Sequence, residues 1–273
     1  MKTYIIDNKG NKIVGHIPNK IDSNVEFIGQ NNILYCEENV TLKNTNLVFE
    51  GNNSLVYLGN GYHKVKISIY NDSVCHLGRG IRYTNTMIII VSEHKHCFIG
   101  DNCIISSGVV VRNADAHLIY DCTTNKRINQ SKSIYIGDHV WIGQNVFILK
   151  NSKIDSGSII GANSCLVGRT IPHNSIYAGN PARKVKSNVF WDKTITHPFD
   201  EQLTEDSLNY SNYIDNHFDD FHNDYWIYEY DTTNTVEWTD IEMNLSSGCA
   251  IDKCNYLINL NKNKTKNRFV HTR

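Results

Sequence analysis

Residues 136–166 read IGDHVWIGQNVFILKNSKIDSGSIIGANSCL, and an aliphatic side chain returns at every sixth position of this stretch. A helix with 3.6 residues per turn would scatter a six-residue repeat around its surface, so a helix does not explain the pattern. Six residues per side instead predict a coil of short strands and tight corners, in which the aliphatic residues stack inside. The inward series is Ile136, Ile142, Ile148, Ile154, Ile160 and Leu166, with small or β-branched residues at Val140, Val146, Ser152, Ser158 and Ser164.

The same spacing extends upstream of this stretch. Ile99, Ile105 and Val111 continue it, and Ile28, Leu34 and Val40 suggest it again near the N-terminus. Residues 43–96 have a looser register with strand-like runs, which we interpret as irregular turns of the same coil. Gly and Asn, frequent in the repeats, accept the backbone conformations of tight corners. The sequence therefore predicts an all-β solenoid over residues 25–187, after an N-terminal hairpin or cap over residues 1–24.

The six-residue repeat stops once, between Val111 and Ile136. A stack of aliphatic residues has no chemistry of its own, and a loop that leaves the coil can carry polar groups without disturbing the stack. Residues 112–133 fit such a loop, because polar residues are concentrated there. They include Asp115, His117, Asp121, Lys126, Arg127 and Asn129.

Three motifs follow one another around and after this interruption. DAHLIYD, residues 115–121, precedes SIYIGDHVWIGQNVFIL, residues 133–149; GANSCLVGRTIP, residues 161–172, and AGNPARKVK, residues 178–186, come later. In this order they resemble the hexapeptide-repeat acyltransferases, most of all the maltose and galactoside acetyltransferases and the O-acetyltransferases of bacterial surface polysaccharides. The resemblance is firm over about residues 90–187 and implies a left-handed parallel β-helix, acetyl-CoA as donor, and homotrimers with active sites between subunits.

The resemblance also implies a catalytic base. Acetyl transfer to a hydroxyl needs a group that removes the hydroxyl proton, and an imidazole with an ordinary pKa near 6.5 suits that task. His117 occupies the position of the family's catalytic histidine, and Asp115, Asp121 or a backbone carbonyl would orient its ring. His139 is a competing candidate, whereas His94 and His96 are expected to be solvated corner residues.

The cofactor site is expected along one side of the coil. Trp141 is predicted to face outward and to line the acceptor and thioester site. Gly143, Gly161 and Ala162 would leave a smooth surface for the pantetheine arm of coenzyme A. Arg169, Arg183 and Lys184 would bind its phosphates, as guanidinium and ammonium groups do. No metal is expected.

Composition limits the possible partners. Residues 1–187 carry 20 Lys and Arg against 13 Asp and Glu, whereas residues 188–273 carry 7 against 15. The basic part suits an anionic ligand, and the acidic part makes nucleic acid an improbable partner. The sequence shows neither a signal peptide nor a membrane helix, so we expect a cytoplasmic protein that associates at most with a glycan-assembly complex at the inner membrane face. The eight scattered cysteines are expected to be buried, reduced thiols.

Residues 188–273 lie beyond the repeat and contain 14 of the 28 aromatic residues, too many for a disordered tail. We expect a mixed extension with a short helix within residues 200–218 and a hairpin over residues 225–238. It either packs on the solenoid or contacts a glycan.

The leading functional prediction is an acetyl-CoA-dependent O-acetyltransferase for a sugar hydroxyl of a capsular or lipopolysaccharide glycan, with direct transfer. Acetylation of a small acceptor, such as an amino sugar nucleotide, serine or maltose, is the alternative. A zinc-dependent carbonic anhydrase on the same coil lacks its H-x4-H pair, because Cys122 follows His117. A non-catalytic glycan-binding solenoid is disfavoured by the His117 loop.

Overall fold

The structure is a computed structural model that describes residues 2–211, 234–263 and 265–270. Short strands wind around a coil with three faces, and strands of successive turns pair in parallel on each face. The first face contains β1 (Thr3–Ile5), β2 (Lys12–Gly15), β5 (Ile33–Cys36), β8 (Leu55–Leu58), β11 (Val74–Leu77), β14 (His96–Ile99), β17 (Ile134–Ile136), β20 (Lys153–Ile154) and β23 (Thr170–Ile171).

The second face follows the first in every turn. It contains β3 (Asn19–Ile21), β6 (Val40–Lys43), β9 (Gly61–His63), β12 (Arg82–Tyr83), β15 (Ile104–Ile105), β18 (Trp141–Ile142), β21 (Ile159–Ile160), β24 (Ser175–Ala178) and the antiparallel β25 (Arg183–Ser187). The third face contains β4 (Asn24–Phe27), β7 (Asn46–Phe49), β10 (Val65–Ile69), β13 (Met87–Val91), β16 (Val110–Arg112), β19 (Phe147–Leu149) and β22 (Cys165–Leu166).

The inward stack is confirmed. All six residues of the series from Ile136 to Leu166 are fully buried, as are Ile99, Ile105 and Val111. Ile136 pairs with Ile154, 18 residues later, as three six-residue sides require. Earlier turns are longer, because Leu34 pairs with Val56, 22 residues later. The longer turns explain the loose register of residues 43–96.

The prediction for Ile28 is wrong. This side chain is 46% exposed, although Leu34 and Val40 are buried as expected. β4 ends at Phe27, so Ile28 lies at a corner, where the chain turns, and not on an inward-facing strand position. The longer early turns have shifted the inward register by this point.

Asparagine holds many of the corners. Asn102, Asn145 and Asn163 have positive φ values of 58°, 56° and 57°, a left-handed conformation that asparagine tolerates better than most residues. This confirms the corner role predicted from the repeat. Three corners are named here by their contents: the aspartate corner between the first and second faces (Asp101, Asp138, Asp155), the glycine corner between the second and third (Gly143, Gly161), and the loop corner between the third and first (Glu93, residues 112–133, Lys150, Arg169).

At the N-terminus, β1 and β2 form an antiparallel hairpin with Gly10 in its turn, at φ 79°. β2 also pairs in parallel with β5, so the first coil strand lies inside the segment expected to be a cap. At the other end of the coil, α1 (Glu201–Asp206) is the short helix expected in that region. The predicted hairpin over residues 225–238 lies largely outside the described residues.

The C-terminal part of the chain covers the outer surface of the first face. An outward ladder of rings runs along this face from Tyr35 through Tyr57 and His76 to Phe98, with centroid separations of 4.4, 4.8 and 4.0 Å. α2 (Trp238–Leu245) and α3 (Ala250–Leu260) bury this ladder in a second apolar core. The described part of the extension therefore packs on the solenoid.

Arg268 joins this C-terminal layer to the aspartate corner. Its guanidinium is 1% exposed and binds Asp138 through two hydrogen bonds of 2.9 Å, and it lies 3.3 Å from Asp101. The Trp238 indole N–H donates to Asp155 at 2.9 Å. All three corner carboxylates are thus used by the extension or lie in contact with it.

Two sequence predictions about polar side chains need correction. His96 is fully buried, because it points outward from β14 into the space that the C-terminal layer covers; burial lowers its pKa to about 3. His94 is exposed, as expected. All eight cysteines are free thiols, but Cys122 and Cys249 are exposed, since they lie on a loop and at a helix cap and not in the stack.

Candidate active site

The loop of residues 112–133 leaves the coil at the loop corner and is folded on itself. Its tip is a turn closed by the Asp121 carboxylate, which accepts backbone N–H groups of Thr123 at 2.9 Å and Thr124 at 2.7 Å. These contacts lower the pKa of the Asp121 carboxyl. Asp121 therefore serves the turn, and this leaves Asp115 as the nearer carboxylate candidate for His117.

Asn129 holds the backbone around His117. Its amide nitrogen donates to the His117 carbonyl at 2.7 Å, and its amide oxygen accepts the Ile119 N–H at 3.0 Å. Asn129 is itself 5% exposed, so these contacts lie in a dry environment where hydrogen bonds are strong. The imidazole of His117 is exposed on this anchored backbone.

The Asp115 carboxylate binds two groups at the foot of the loop. Lys150 donates to it at 2.5 Å and Asn129 at 3.1 Å, and the Lys150 ammonium holds its pKa below the usual range. These contacts fix the start of the loop against the next turn of the coil. The role of Asp115 in orienting the His117 ring stays a prediction.

The second face carries the other predicted group of residues. Trp141 points outward and is 42% exposed, between Ile104 of β15 and Ile159 of β21. Gly143 begins the glycine corner directly after it. A Cβ at Gly143 would lie 2.6 Å from the Ala162 nitrogen, and one at Gly161 would lie 2.8 Å from the Ala178 Cβ. Successive turns thus approach closely here and leave a smooth strip of backbone.

The predicted phosphate-binding cations divide between two places. Arg183 and Lys184 are exposed on β25, beside Ala178 and Tyr177 of β24, at the C-terminal end of the same strip. Arg169 lies instead at the loop corner, between β22 and β23. The donor strip, defined as Trp141, Gly143, Gly161, Ala162, Arg183 and Lys184, therefore excludes Arg169.

The donor strip and the His117 loop lie on different parts of one chain. The loop projects from the corner between the third and first faces, whereas the strip follows the second face and the glycine corner. The third face separates the loop corner from the glycine corner, so a single chain does not bring the two groups together. Each chain holds two half-sites.

The competing candidate, His139, is packed in the interior. Its ring stacks on Trp191 with a centroid separation of 3.9 Å, and its Nε2 lies 3.0 Å from the Trp191 carbonyl oxygen. The Trp191 indole N–H donates in return to the His139 carbonyl at 3.1 Å. Burial lowers the pKa of His139 to about 4. An imidazole enclosed in this way cannot meet an acceptor hydroxyl.

Sequence reasoning missed Trp191, which also contacts the donor strip. Its ring centroid lies 6.1 Å from that of Trp141, and the two planes are tilted by 49°. The chain returns to the coil here, as Lys193 donates to Asn102 at 3.0 Å. Nothing in the hexapeptide pattern points to this residue, because it lies beyond the last repeat.

The described residues contain no group of three or more His, Cys, Asp and Glu side chains that could hold a metal ion. No helix among them is long and apolar enough to cross a membrane.

A three-faced coil of six-residue sides, with one histidine-bearing loop and a smooth basic-ended strip, defines a hexapeptide-repeat transferase. The family model for bacterial transferase hexapeptide, six repeats, matches residues 133–168. A polysialic acid O-acetyltransferase of Neisseria meningitidis is 32% identical over 173 residues, which cover 62% of this chain and 80% of that protein.

Two solved structures are also similar. The polySia-specific acetyltransferase NeuO is 31% identical with a TM-score of 0.62, and the match covers 73% of this chain and 91% of that one. The polysialic acid O-acetyltransferase OatWY is 27% identical with a TM-score of 0.55, and the match covers 71% and 97%. The chain therefore belongs to the hexapeptide-repeat acyltransferases and is a left-handed parallel β-helix.

Proposed function

We propose that this acyltransferase moves an acetyl group from acetyl-CoA to a sugar hydroxyl of an acidic bacterial capsule polysaccharide. The observation that carries this proposal is an exposed imidazole on an anchored loop, in a chain related to polysialic acid O-acetyltransferases. The excess of basic residues before residue 188 suits an acidic polymer.

The donor strip fits coenzyme A. The close approach of backbone at Gly143 leaves room for a narrow, extended arm, which would hydrogen-bond to exposed backbone groups. Arg183 and Lys184 end the strip with two exposed cations where phosphates would lie. Arg169 would contribute only from a neighbouring chain, because it lies at the loop corner.

His117 would act as the general base. When bound, acetyl-CoA supplies the acetyl group as a thioester. His117 would accept the proton of the acceptor hydroxyl as its oxygen attacks the carbonyl carbon, and would return that proton to the departing sulfur. Trp141 would hold the reacting groups against the second face. Backbone N–H groups near Trp141 and Gly143 are the candidate donors to the developing oxyanion.

The active site is completed by a second copy of the chain. The C-terminal layer covers the first face, but the other two faces remain open, with Trp141 42% and Phe147 46% exposed on them. Contact between two different faces of identical chains closes into a ring, which here is a trimer. The loop of one chain would then lie beside the donor strip of the next.

One experiment tests both the base and the shared site. His117→Ala should reduce thiol release from acetyl-CoA and polysialic acid by roughly 100- to 10,000-fold, while acetyl-CoA binding measured by calorimetry stays within about threefold. His94→Ala, at an exposed histidine far from the loop tip, is the matched control. Unchanged turnover in H117A would refute the mechanism.

Subunit mixing tests where the half-sites meet. Gly143→Leu should block the donor strip, and co-refolded G143L and H117A chains should regain activity, because some neighbouring pairs then combine an intact loop with an intact strip. Random mixing gives one such pair in about four interfaces. Absence of any recovery in mixed trimers would show that each site lies within one chain.

A further inference from the structure

Arg112 is the last residue of β16 and the first residue of the His117 loop. Its side chain points outward from the third face, in register with Ile90 on one side and Leu149 on the other. The buried Asn113 fixes the chain directly after it by hydrogen bonds to Ser92 at 2.9 and 3.0 Å. Arg112 is thus held in a mostly apolar row at the foot of the loop that carries the candidate base.

The guanidinium of Arg112 lacks the partner that such a group normally has. Its Nε–H is buried and has no hydrogen-bond acceptor among the described residues. Other cations with reduced exposure each hold a carboxylate at short range. These pairs are Arg79–Glu37 at 2.6 Å, Arg127–Glu93 at 2.7 Å, Lys150–Asp115 at 2.5 Å and Arg268–Asp138 at 2.9 Å.

The carboxylate nearest in sequence is already bound elsewhere. Asp115 accepts from Lys150 and Asn129, and Arg112 affects it only as the weakest of the charges that lower its pKa. A buried arginine N–H without an acceptor is costly, whereas a planar guanidinium binds a carboxylate through two parallel hydrogen bonds. Arg112 is therefore arranged to receive a carboxylate from outside the chain.

We propose that Arg112 binds the carboxylate of an acidic sugar in the acceptor and so selects acidic polysaccharides. This inference rests on the proposed function and adds to it the residue that recognises the substrate's charge. The donor phosphates are the less suitable anion, because the donor strip with Arg183 and Lys184 lies on another face. A carboxylate at Arg112 would place the sugar that bears it beside the loop of His117.

The test compares two acceptors that differ only in charge: polysialic acid, and the same polymer with its carboxyl groups reduced to alcohols. Arg112→Gln should raise KM for polysialic acid roughly 10- to 100-fold, the range expected when a charge-assisted hydrogen bond is lost. KM for acetyl-CoA and the rate with the reduced polymer should stay within about twofold. Arg112→Lys should lie between, because it keeps the charge but not the planar pair of donors.

Lys132→Gln is the matched control, since it removes one positive charge from an exposed position on the same loop. It should change KM for polysialic acid by less than about threefold, as expected for a screened surface charge. The inference is overturned if R112Q resembles K132Q, or if R112Q loses activity equally on both polymers. Equal loss accompanied by a smaller molecular mass in light scattering would assign Arg112 to subunit contact. If the wild-type enzyme acetylates neither polymer but does acetylate a small sugar, the proposed acceptor itself fails.

Discussion

Replacing Arg268 with methionine should destabilise the protein more than any single change on its surface. The guanidinium makes a two-point contact with Asp138, with both distances at 2.9 Å, and lies 3.3 Å from Asp101. Arg268 and Asp138 are 0–1% exposed, and Asp101 is 8% exposed. Methionine fills part of the space but leaves two buried carboxylates without their cation. Asp138 retains backbone N–H donors, from Asp101 at 2.8 Å and from residue 268 at 3.0 Å.

The expected loss is about 3–5 kcal/mol, the range for a buried ion pair that loses one partner. For a chain of this size, 1 kcal/mol moves the melting temperature by about 2–4 °C, so the midpoint should fall by roughly 6–20 °C. The assay is thermal unfolding followed by circular dichroism at a fixed scan rate, because multi-subunit proteins often unfold irreversibly. Limited proteolysis should cut first near α2 and α3, since Arg268 joins them to the coil.

Lys262→Met is the control, because it removes a positive charge from an exposed residue of the same segment, where the ammonium contacts only Asn259 at 2.9 Å. Its midpoint should match that of the wild type within about 2 °C, as for other exposed substitutions. Equal midpoints for R268M and K262M would refute the reasoning. The triple variant with Asp101→Asn and Asp138→Asn should recover part of the loss, since it also removes the uncompensated charges.

The loss should also depend on pH. Burial raises the pKa of Asp101 in the folded protein to about 6, above the value of 3.8 expected when the chain is unfolded, while Arg268 opposes this rise. Between these values the folded state binds more protons than the unfolded state, so the contribution of Asp101 to stability falls as pH rises from about 4 to 6. Without Arg268 the pKa rises further. The R268M deficit should therefore be larger at pH 8 than at pH 5, and a deficit independent of pH would contradict this account.

Two further substitutions test the donor strip. In Trp191→Ala the imidazole of His139 loses its stacking partner and becomes hydrated, so its pKa, about 4 in the wild type, should rise toward about 6.5 in an NMR titration. KM for acetyl-CoA should rise as Trp141 loses its neighbour, with W191F closer to wild type, and an unaltered titration of His139 would refute the contact. In Gly143→Ala the new Cβ would lie 2.6 Å from the Ala162 nitrogen, which should destabilise the coil by about 1–3 kcal/mol in denaturant unfolding. Ala162→Gly should not rescue G143A because the clash is with backbone, and a rescue would contradict that geometry.

The inward-facing half of this fold was predictable because it is periodic. Three sides of six residues bring every sixth residue to the same axis, so burial from Ile136 to Leu166 follows from spacing alone. Ile28 shows where this reasoning stops. Turns of 19–22 residues add corner residues in places that no fixed period describes, as the pairing of Leu34 with Val56 shows.

The outward-facing half was not predictable in the same way. His96 points away from the stack, and outward residues of a solenoid are normally wet, yet this one lies under the C-terminal layer. Whether an outward position is exposed depends on segments far away in sequence, such as Arg268, which contacts Asp138 across 130 residues. Sequence spacing carries no signal for such contacts. The position of His117 on a loop was predictable, but its anchoring by Asn129 was not, because that contact depends on how the loop folds.

The three faces divide stability and chemistry between them, and the proposed variants separate the two. The covered first face contains the aromatic ladder and lies beside the Arg268 network, whereas both half-sites project from the open faces and the loop corner. R268M should therefore lower the melting temperature while leaving KM for both substrates near wild type at 25 °C. R112Q should do the reverse, because Arg112 has no partner within the chain to lose. If R268M raised KM for acetyl-CoA as strongly as it lowered stability, the C-terminal layer would have to position the donor strip, and the faces would not be independent.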